Sequence, residues 1–456
     1  MTTKLTFAAV ALAAFLAACA SDPNPDAAPA LQTLQPAFAA ASAEQTAPQT
    51  DWWRGFGDAT LDRLVDRALV ENRDLLAAEA EVRRARAIAG IEGWQLLPSA
   101  NVSASGGRTR DINPVAEQDF AATGADISWE LDVFGRLRHG ARAASREALS
   151  VEEARRGVRV TIATETAVAY ATLRGAQARL QAAQNNAESQ RQTVIRIEAL
   201  REAGRGSPFD VARAREQYET TAAQVATIDG ELSAARNALD VLVMGIPTDI
   251  DLTLAPVPAP PAQFGLGSPE ELLQRRPDIR RARAVLEAAT ARTQAARVDW
   301  WPRISLFGVA NWIGADFDAV GDSDGFSFTV GPRIDWPALD FRRNMLRTEA
   351  ARANAEAEFY RYDQIVYAAV RDVETSFTNL QAASRSTESL TRAAEAAREA
   401  ARISRLRYRE GMESFFSVLD AERRLAEAED RLALASTQRA IAYVRLGQAL
   451  GAGWSD

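Results

Sequence analysis

The sequence predicts a mainly α-helical fold with a transmembrane β part. Three observations support it: two halves that repeat, two very long proline-free helical stretches, and four short segments of alternating polarity. The 456-residue chain is 47% hydrophobic and 25% charged, an ordinary balance for a globular protein. A formal net charge of -8 argues against a nucleic-acid partner, which needs a basic surface. The single cysteine excludes an intramolecular disulfide, and the single histidine, His139, excludes a multi-histidine metal site. No stretch from residue 20 onward has the unbroken apolar length of a membrane-spanning helix.

Residues 1–18 read as a signal peptide: Lys4 precedes an apolar run through Phe7, Val10, Leu12 and Phe15, which ends in small residues. The run closes on Leu16, Ala17, Ala18 and Cys19, which resembles the lipobox of bacterial lipoproteins. That resemblance implies cleavage before Cys19, a diacylglycerol on its thiol and a further acyl chain on its new amine. Several chains together give stable anchoring. Ala20 follows where an aspartate would favour inner-membrane retention, so the expected destination is the outer membrane. Residues 19–55 lack periodicity and carry Pro23, Pro25 and Pro29, as an extended tether does.

The two halves align at an offset close to 207 residues. Pro98 meets Pro302, Trp129 meets Trp336, and the run from Gly204 to Ala214 meets the run from Gly411 to Ala421. The first repeat occupies 56–245 and the second 268–451, each in the order helix, two strands, very long helix, helix. Residues 246–267 form a connector whose Pro256, Pro258, Pro260 and Pro261 exclude a helix interior, and 452–456 form a short tail. A period this long is one large unit used twice rather than a solenoid.

Residues 138–203 and 341–410 contain no proline and are rich in alanine, arginine, glutamate, glutamine and leucine, all good helix formers. At 1.5 Å per residue each such helix is about 100 Å long, far beyond a common globular helix, and needs a coiled-coil explanation. Leu173, Leu180, Ala187 and Val194 recur every seven residues, beside Ala169, Ala176, Ala183 and Ile197; Phe359, Val366, Val373, Leu380, Ala394 and Ala401 do the same in the second half. A long soluble coiled coil or helical bundle would share this periodicity.

The strands separate the alternatives. Segments 100–108, 122–133, 304–313 and 325–336 alternate in polarity: Ile127, Trp129, Leu131 and Val133 oppose Asp126, Ser128, Glu130 and Asp132. Such a dyad repeat suits a membrane barrel, apolar to lipid and polar to the lumen, with Trp129, Trp312 and Trp336 available to interface girdles. An antiparallel sandwich under a helical cap would look similar, and 304–313 is apolar on both faces. Four strands do not close a barrel, and an open edge cannot sit in hydrocarbon. The chain is therefore expected to oligomerise. Two copies supply eight strands and a filled interior, whereas three supply twelve and leave an aqueous lumen.

Taken together, the lipobox, the repeat, the strands and the two matching helix-turn-helix tips resemble the outer-membrane factor family, the TolC-type ducts, in its lipoprotein branch serving resistance–nodulation–division (RND) pumps. The tips carry the most specific words: Gly204, Arg205, Gly206, Ser207, Pro208 and Phe209 in the first, and Gly411, Met412, Glu413, Ser414, Phe415 and Phe416 in the second. The resemblance implies a homotrimer with a 12-stranded barrel in the outer-membrane lipid and an α-helical coiled-coil tunnel. It also implies a periplasmic adaptor protein and an inner-membrane RND-type pump as partners, and passive conduction of small molecules. It places Asp420 on a ring of aspartates at the periplasmic gate, with Phe416 as the apolar constriction and Ser417 where a second aspartate stands in some relatives. A ring of carboxylates would filter cations. Asp210 and Tyr408 match two members of the family's tip latch, and Glu413 replaces its arginine. An aspartate near a helix start is also an ordinary cap or dipole partner.

The acidic run from Asp316 to Asp324 lacks the spacing of a calcium loop and reads as a connection between strands. No catalytic constellation, cofactor motif or metal site emerges, and no enzyme is expected. A type I protein-secretion duct shares the expected architecture. A lipid-anchored periplasmic scaffold without a pore would keep the heptads and dispense with lipid-facing strands.

Overall fold

The computed structural model describes residues 28–32, 50–112, 115–261, 265–314 and 325–454. Cys19 and the acidic loop at 316–324 lie outside them. After a single turn at Pro29–Gln32 and a 3-10 turn at Trp52–Phe56, the first repeat runs α1 (Ala59–Glu71), α2 (Arg73–Trp94), β1 (Ser99–Ile112), β2 (Val115–Leu131), α3 (Arg136–Glu202) and α4 (Pro208–Leu242). The second runs α5 (Pro269–Arg275), α6 (Pro277–Val298), β3 (Arg303–Gly314), β4 (Phe326–Asp335), α7 (Phe341–Arg409) and α8 (Phe415–Ala449).

Where the sequence predicts one helix before each strand pair, the structure has two. Asn72 adopts extended backbone between α1 and α2; its side-chain amide donates to the Leu242 carbonyl (3.1 Å) and its side-chain oxygen accepts from the Asp74 amide (3.0 Å). Arg276 makes the equivalent break, helped by Pro277, which disfavours helical backbone in the residue before it. The two breaks are 204 residues apart, and Gly204 and Gly411 are 207 apart. The extra three residues therefore fall among the strands and their connections. Both long helices end as predicted to within two residues.

The chain forms two compact units, and helices α3 and α7 contribute residues to both. One unit contains the four strands and the helical residues of 81–153 and 279–365. Its helical part buries small side chains such as Ala143, Ala144, Ala288 and Ala289. Glu153, 1% exposed, pairs with Arg280 at 2.8 Å. The other unit holds the main core, built from Trp52, Trp53, Leu61, Leu64, Tyr170, Leu173, Leu239, Tyr443 and Val444. Within it, the Tyr170 hydroxyl donates to Asp58 at 2.7 Å, and burial raises its pKa.

The seam of α7 follows the predicted register: Val366, Val373, Ala394 and Ala401 are buried, with Thr387 between them donating to the Ala383 and Ala435 carbonyls. In α3 beyond Leu173 the buried heptad line is Ala176, Ala183, Gln190 and Ile197, while Leu180, Ala187 and Val194 of the other predicted line are half-buried. Gln190 is invisible to an apolar pattern; it is 2% exposed and neither amide atom has a partner among the described residues.

The strands form one antiparallel sheet in the order β1-β2-β3-β4. Strand β2 begins at Val115, seven residues before the predicted start, and Asp132 and Val133 leave it to form the turn into α3. There the Asp132 carboxylate accepts from the Leu137 and Arg138 amides at 3.0 and 2.9 Å. No helix among the described residues is long and apolar enough to cross a membrane.

Candidate functional site

Cross-strand register decides what each face of the sheet presents, because directly opposed residues point the same way. Ala100 faces Ile127 and Val102 faces Ala125; Trp129 faces Leu306; Ala310 faces Phe328, and Gly308 faces Val330. One face is thus apolar across all four strands up to the level of Thr123, beyond which the Arg108–Asp119 ion pair (2.7 Å) lies on the same face of β1 and β2. Its side chains lie in the open: Val102 is 78% exposed, and Phe328 and Val330 are 71% and 73%. A patch of this size on a free surface marks a contact with lipid or protein. The opposite face pairs Asn101 with Asp126 through a 3.2 Å hydrogen bond and carries Ser128, Asn311 and Arg333. Phe307, one of the residues that makes β3 apolar on both faces, lies here, with the Arg333 guanidinium 4.9 Å from its ring centroid. Strands β1 and β4 are the two edges, so each leaves one row of backbone groups unpaired within the sheet.

Two tryptophans expected in interface girdles also close the strand ends. The Trp129 indole donates to the Leu96 carbonyl at 3.0 Å, and its repeat partner Trp336 donates to the Trp300 carbonyl at 3.2 Å.

The tips are the second part of the site. Both long helices end in the same way: the Gly204 and Arg205 amides return to the Arg201 and Leu200 carbonyls, and the Gly411 and Met412 amides return to Tyr408 and Arg407. Gly204 (φ 72°) and Gly411 (φ 74°) occupy the left-handed region this reversal requires. Ser207 and Ser414 then cap α4 and α8, accepting from the Phe209 and Ser417 amides at 3.2 and 3.4 Å. The turns fold the hairpins onto a small apolar cluster of Ile197, Val211, Ala214, Phe415, Val418 and Leu419.

Around that cluster, Phe416 is 56% exposed, whereas Phe415 beside it is 7% exposed. Asp420 stands one helical turn beyond Phe416, and Ser414 is the cap, so Asp420 serves no capping role. Its carboxylate accepts from Arg423 and Arg424, each at 2.8 Å. Chiefly through the Arg423 hydrogen bond, its pKa is held below the usual carboxylate range. The Asp420 carboxylate, which the resemblance places on an acidic ring, is thus screened by two guanidiniums on its own helix. The sequence reading did not anticipate this pairing, although the i, i+3 and i, i+4 spacing of the two arginines is a signal that could have found it.

Of the latch residues, Tyr408 lies against Phe415, ring centroids 5.6 Å apart. Burial, and then the Asp210 charge, raise its pKa. Among the described residues no hydrogen bond joins Tyr408 to Asp210, whose charge acts on it only through space. Glu413 turns inward on the second hairpin, accepting the Ser417 hydroxyl at 2.9 Å and pairing with Arg407 at 3.3 Å.

Sequence inspection missed three groups here. Glu198 pairs with Arg215 at 2.8 Å, and Arg405 pairs with Glu422 at 3.1 Å. These are the same two repeat positions with their charges exchanged. The first pair is in the open, whereas Glu422 is 3% exposed. Burial raises the Glu422 pKa, partly opposed by Arg405 and by Arg196 and Thr193 of α3. The third group is Arg213, whose guanidinium sits over the Phe416 ring. Among the described residues, no group of three histidine, cysteine, aspartate or glutamate side chains is placed to hold a metal ion.

The chain matches the family described as "Outer membrane efflux protein" over residues 64–243 and 268–452, which are its two repeats. It is 31% identical to the outer membrane protein OprJ of Pseudomonas aeruginosa, over 92% of this chain and 89% of OprJ. It is 31% identical to the solvent efflux pump outer membrane protein SrpC of Pseudomonas putida, over 88% of this chain and 87% of SrpC. The solved outer-membrane channel OprN superimposes with a TM-score of 0.86 at 33% identity, covering 96% of this chain and all of the OprN chain. With the family match spanning both repeats and channel structures matching the fold along nearly the whole chain, this protein belongs to the outer membrane efflux protein family and is an outer-membrane channel for efflux.

Proposed function

We propose that three copies of the chain close their sheets edge to edge into a 12-stranded barrel in the outer-membrane lipid. Small molecules enter at the helical tips when a periplasmic adaptor and an inner-membrane RND-type pump engage there, and leave passively through the lumen. The chain itself supplies no energy; the pump does. The observation that carries this reading is the four-stranded sheet with two open edges, one exposed face that is apolar on all four strands for most of its length, and one polar face. Edge pairing between copies satisfies the free backbone groups, and the polar face then lines water. A lipid-anchored scaffold without a pore has no use for such a face, and nothing in the tips favours protein cargo.

In this reading Phe416 and Asp420, with Ser417 between them, line the periplasmic gate. Asp210 and Tyr408 join the two hairpins, and Glu413 stiffens the second one. Because Arg423 and Arg424 offset Asp420, the gate is only weakly cation-selective. Cys19 carries the lipid anchor. Purified full-length protein in planar bilayers tests the function. Stepwise single-channel currents are expected, together with a detergent particle containing three protein chains. A monomer in detergent or bilayers without current steps would overturn the proposal. Asp420→Ala is expected to raise conductance with a small change in reversal potential; unchanged conductance would remove Asp420 from the gate.

A further inference from the structure

One side-chain contact between the hairpins at the tips involves neither Asp210 nor Tyr408. Arg213 lies on α4 one turn beyond Phe209. Its guanidinium carbon is 5.3 Å from the Phe209 ring centroid and 4.8 Å from that of Phe416 on α8. Both rings are open to solvent, Phe209 at 65% and Phe416 at 56%. A guanidinium within about 6 Å of a ring face is attracted by its quadrupole, and arginine adds planar stacking.

The repeat sharpens the placement. Phe209 and Phe416 are equivalent, 207 residues apart, and the same offset sets Arg213 against Asp420. Phe416 is therefore approached by Arg213 from the first hairpin and followed by Asp420 on its own helix. Glu413 works within the second hairpin only, so Arg213 provides a direct side-chain contact from the first hairpin to the gate ring.

We propose that Arg213 is a gate-positioning residue: its cation–π contact ties Phe416 to the first hairpin and holds the entrance narrow, and parting the tips requires the guanidinium to leave the ring. This inference rests on the channel reading above. One exposed contact of this kind shifts a local equilibrium about 2- to 5-fold, and three tips moving together shift it on the order of ten- to a hundredfold.

The test is single-channel recording on the full-length protein with Arg213→Met, Arg213→Lys, Phe416→Leu and the Arg213→Met/Phe416→Leu double variant. Arg213→Met is expected to raise open-state occupancy about tenfold or more, and Arg213→Lys to fall between it and the parent. In the Phe416→Leu background, Arg213→Met should add nothing. A general loss of fold would instead lower the heat resistance of the oligomer, which is expected to hold in every variant. Occupancy within about twofold of the parent in Arg213→Met, or an equal rise in the Phe416→Leu background, overturns the clamp and leaves the channel reading standing. Absence of any current from the parent protein overturns the channel reading, and the clamp with it.

Discussion

Phe415 and Phe416 are adjacent in sequence and opposite in circumstance, and truncating each to alanine should separate packing from gating. Phe415 is 7% exposed, packs among Ile197, Val211, Ala214, Val418 and Leu419, and meets the Tyr408 ring at 5.6 Å. Removing a buried phenylalanine side chain costs about 3–5 kcal/mol. The tip cluster is small and rimmed by solvent, so water can relax the void, and about 3 kcal/mol is the appropriate end of that range. At 1.4 kcal/mol per factor of ten, the tip should open locally on the order of a hundredfold more often in Phe415→Ala. Phe416 is 56% exposed and buries less than half its surface; its truncation should cost about 1 kcal/mol and change local opening roughly tenfold or less. Hydrogen exchange of backbone amides in 194–214 and 408–421, measured on the detergent-solubilised protein, reads both values. Exchange in Phe415→Ala within about fivefold of the parent, or a larger effect in Phe416→Ala, would refute the reasoning.

Two further outcomes follow from the same geometry. Burial raises the Glu422 pKa above 4.5, so the folded tip binds a proton that the unfolded chain has released in the window just above that value. The corresponding stability is full below about pH 4.5 and is lost as pH rises through the folded value; Glu422→Gln should melt higher than the parent at pH 7.5 and converge with it near pH 4, and a lower melting point at pH 7.5 would mean that the Arg405 pair outweighs burial. Trp129→Phe and Trp336→Phe each remove one indole donor from a matched pair; each should cost about 1 kcal/mol in chemical unfolding, and a cost at only one of the two would deny their equivalence.

Local chemistry made much of this protein legible in one dimension. The absence of proline and the abundance of helix formers set the ends of α3 and α7 to within two residues, since helix propagation depends on near neighbours. The two tips were legible through the repeat, which matches Gly204 and Ser207 to Gly411 and Ser414, and through the family resemblance. The strands were located by alternation, but the outer ends of β1 and β2 were not, because Arg110, Asp111, Glu117 and Gln118 interrupt any apolar pattern.

Other features depend on pairings between distant residues, which composition and period do not encode. Segment 304–313 is apolar on both sides when read alone; only its register against Ser128 and Asp126 assigns Phe307 and Val309 to the polar face. Glutamine at position 190 reads as a wet surface residue until the packing of α3 buries it. Glu198 and Arg405 occupy equivalent positions, yet the second pair alone has its carboxylate buried. Arg213 reaches Phe416 across 203 residues of chain. Helix content and turn chemistry are therefore properties of the sequence itself. Which face is dry, which charge is buried and which ring a guanidinium meets are settled only when distant segments pack, because burial and register are energies of the whole assembly of contacts.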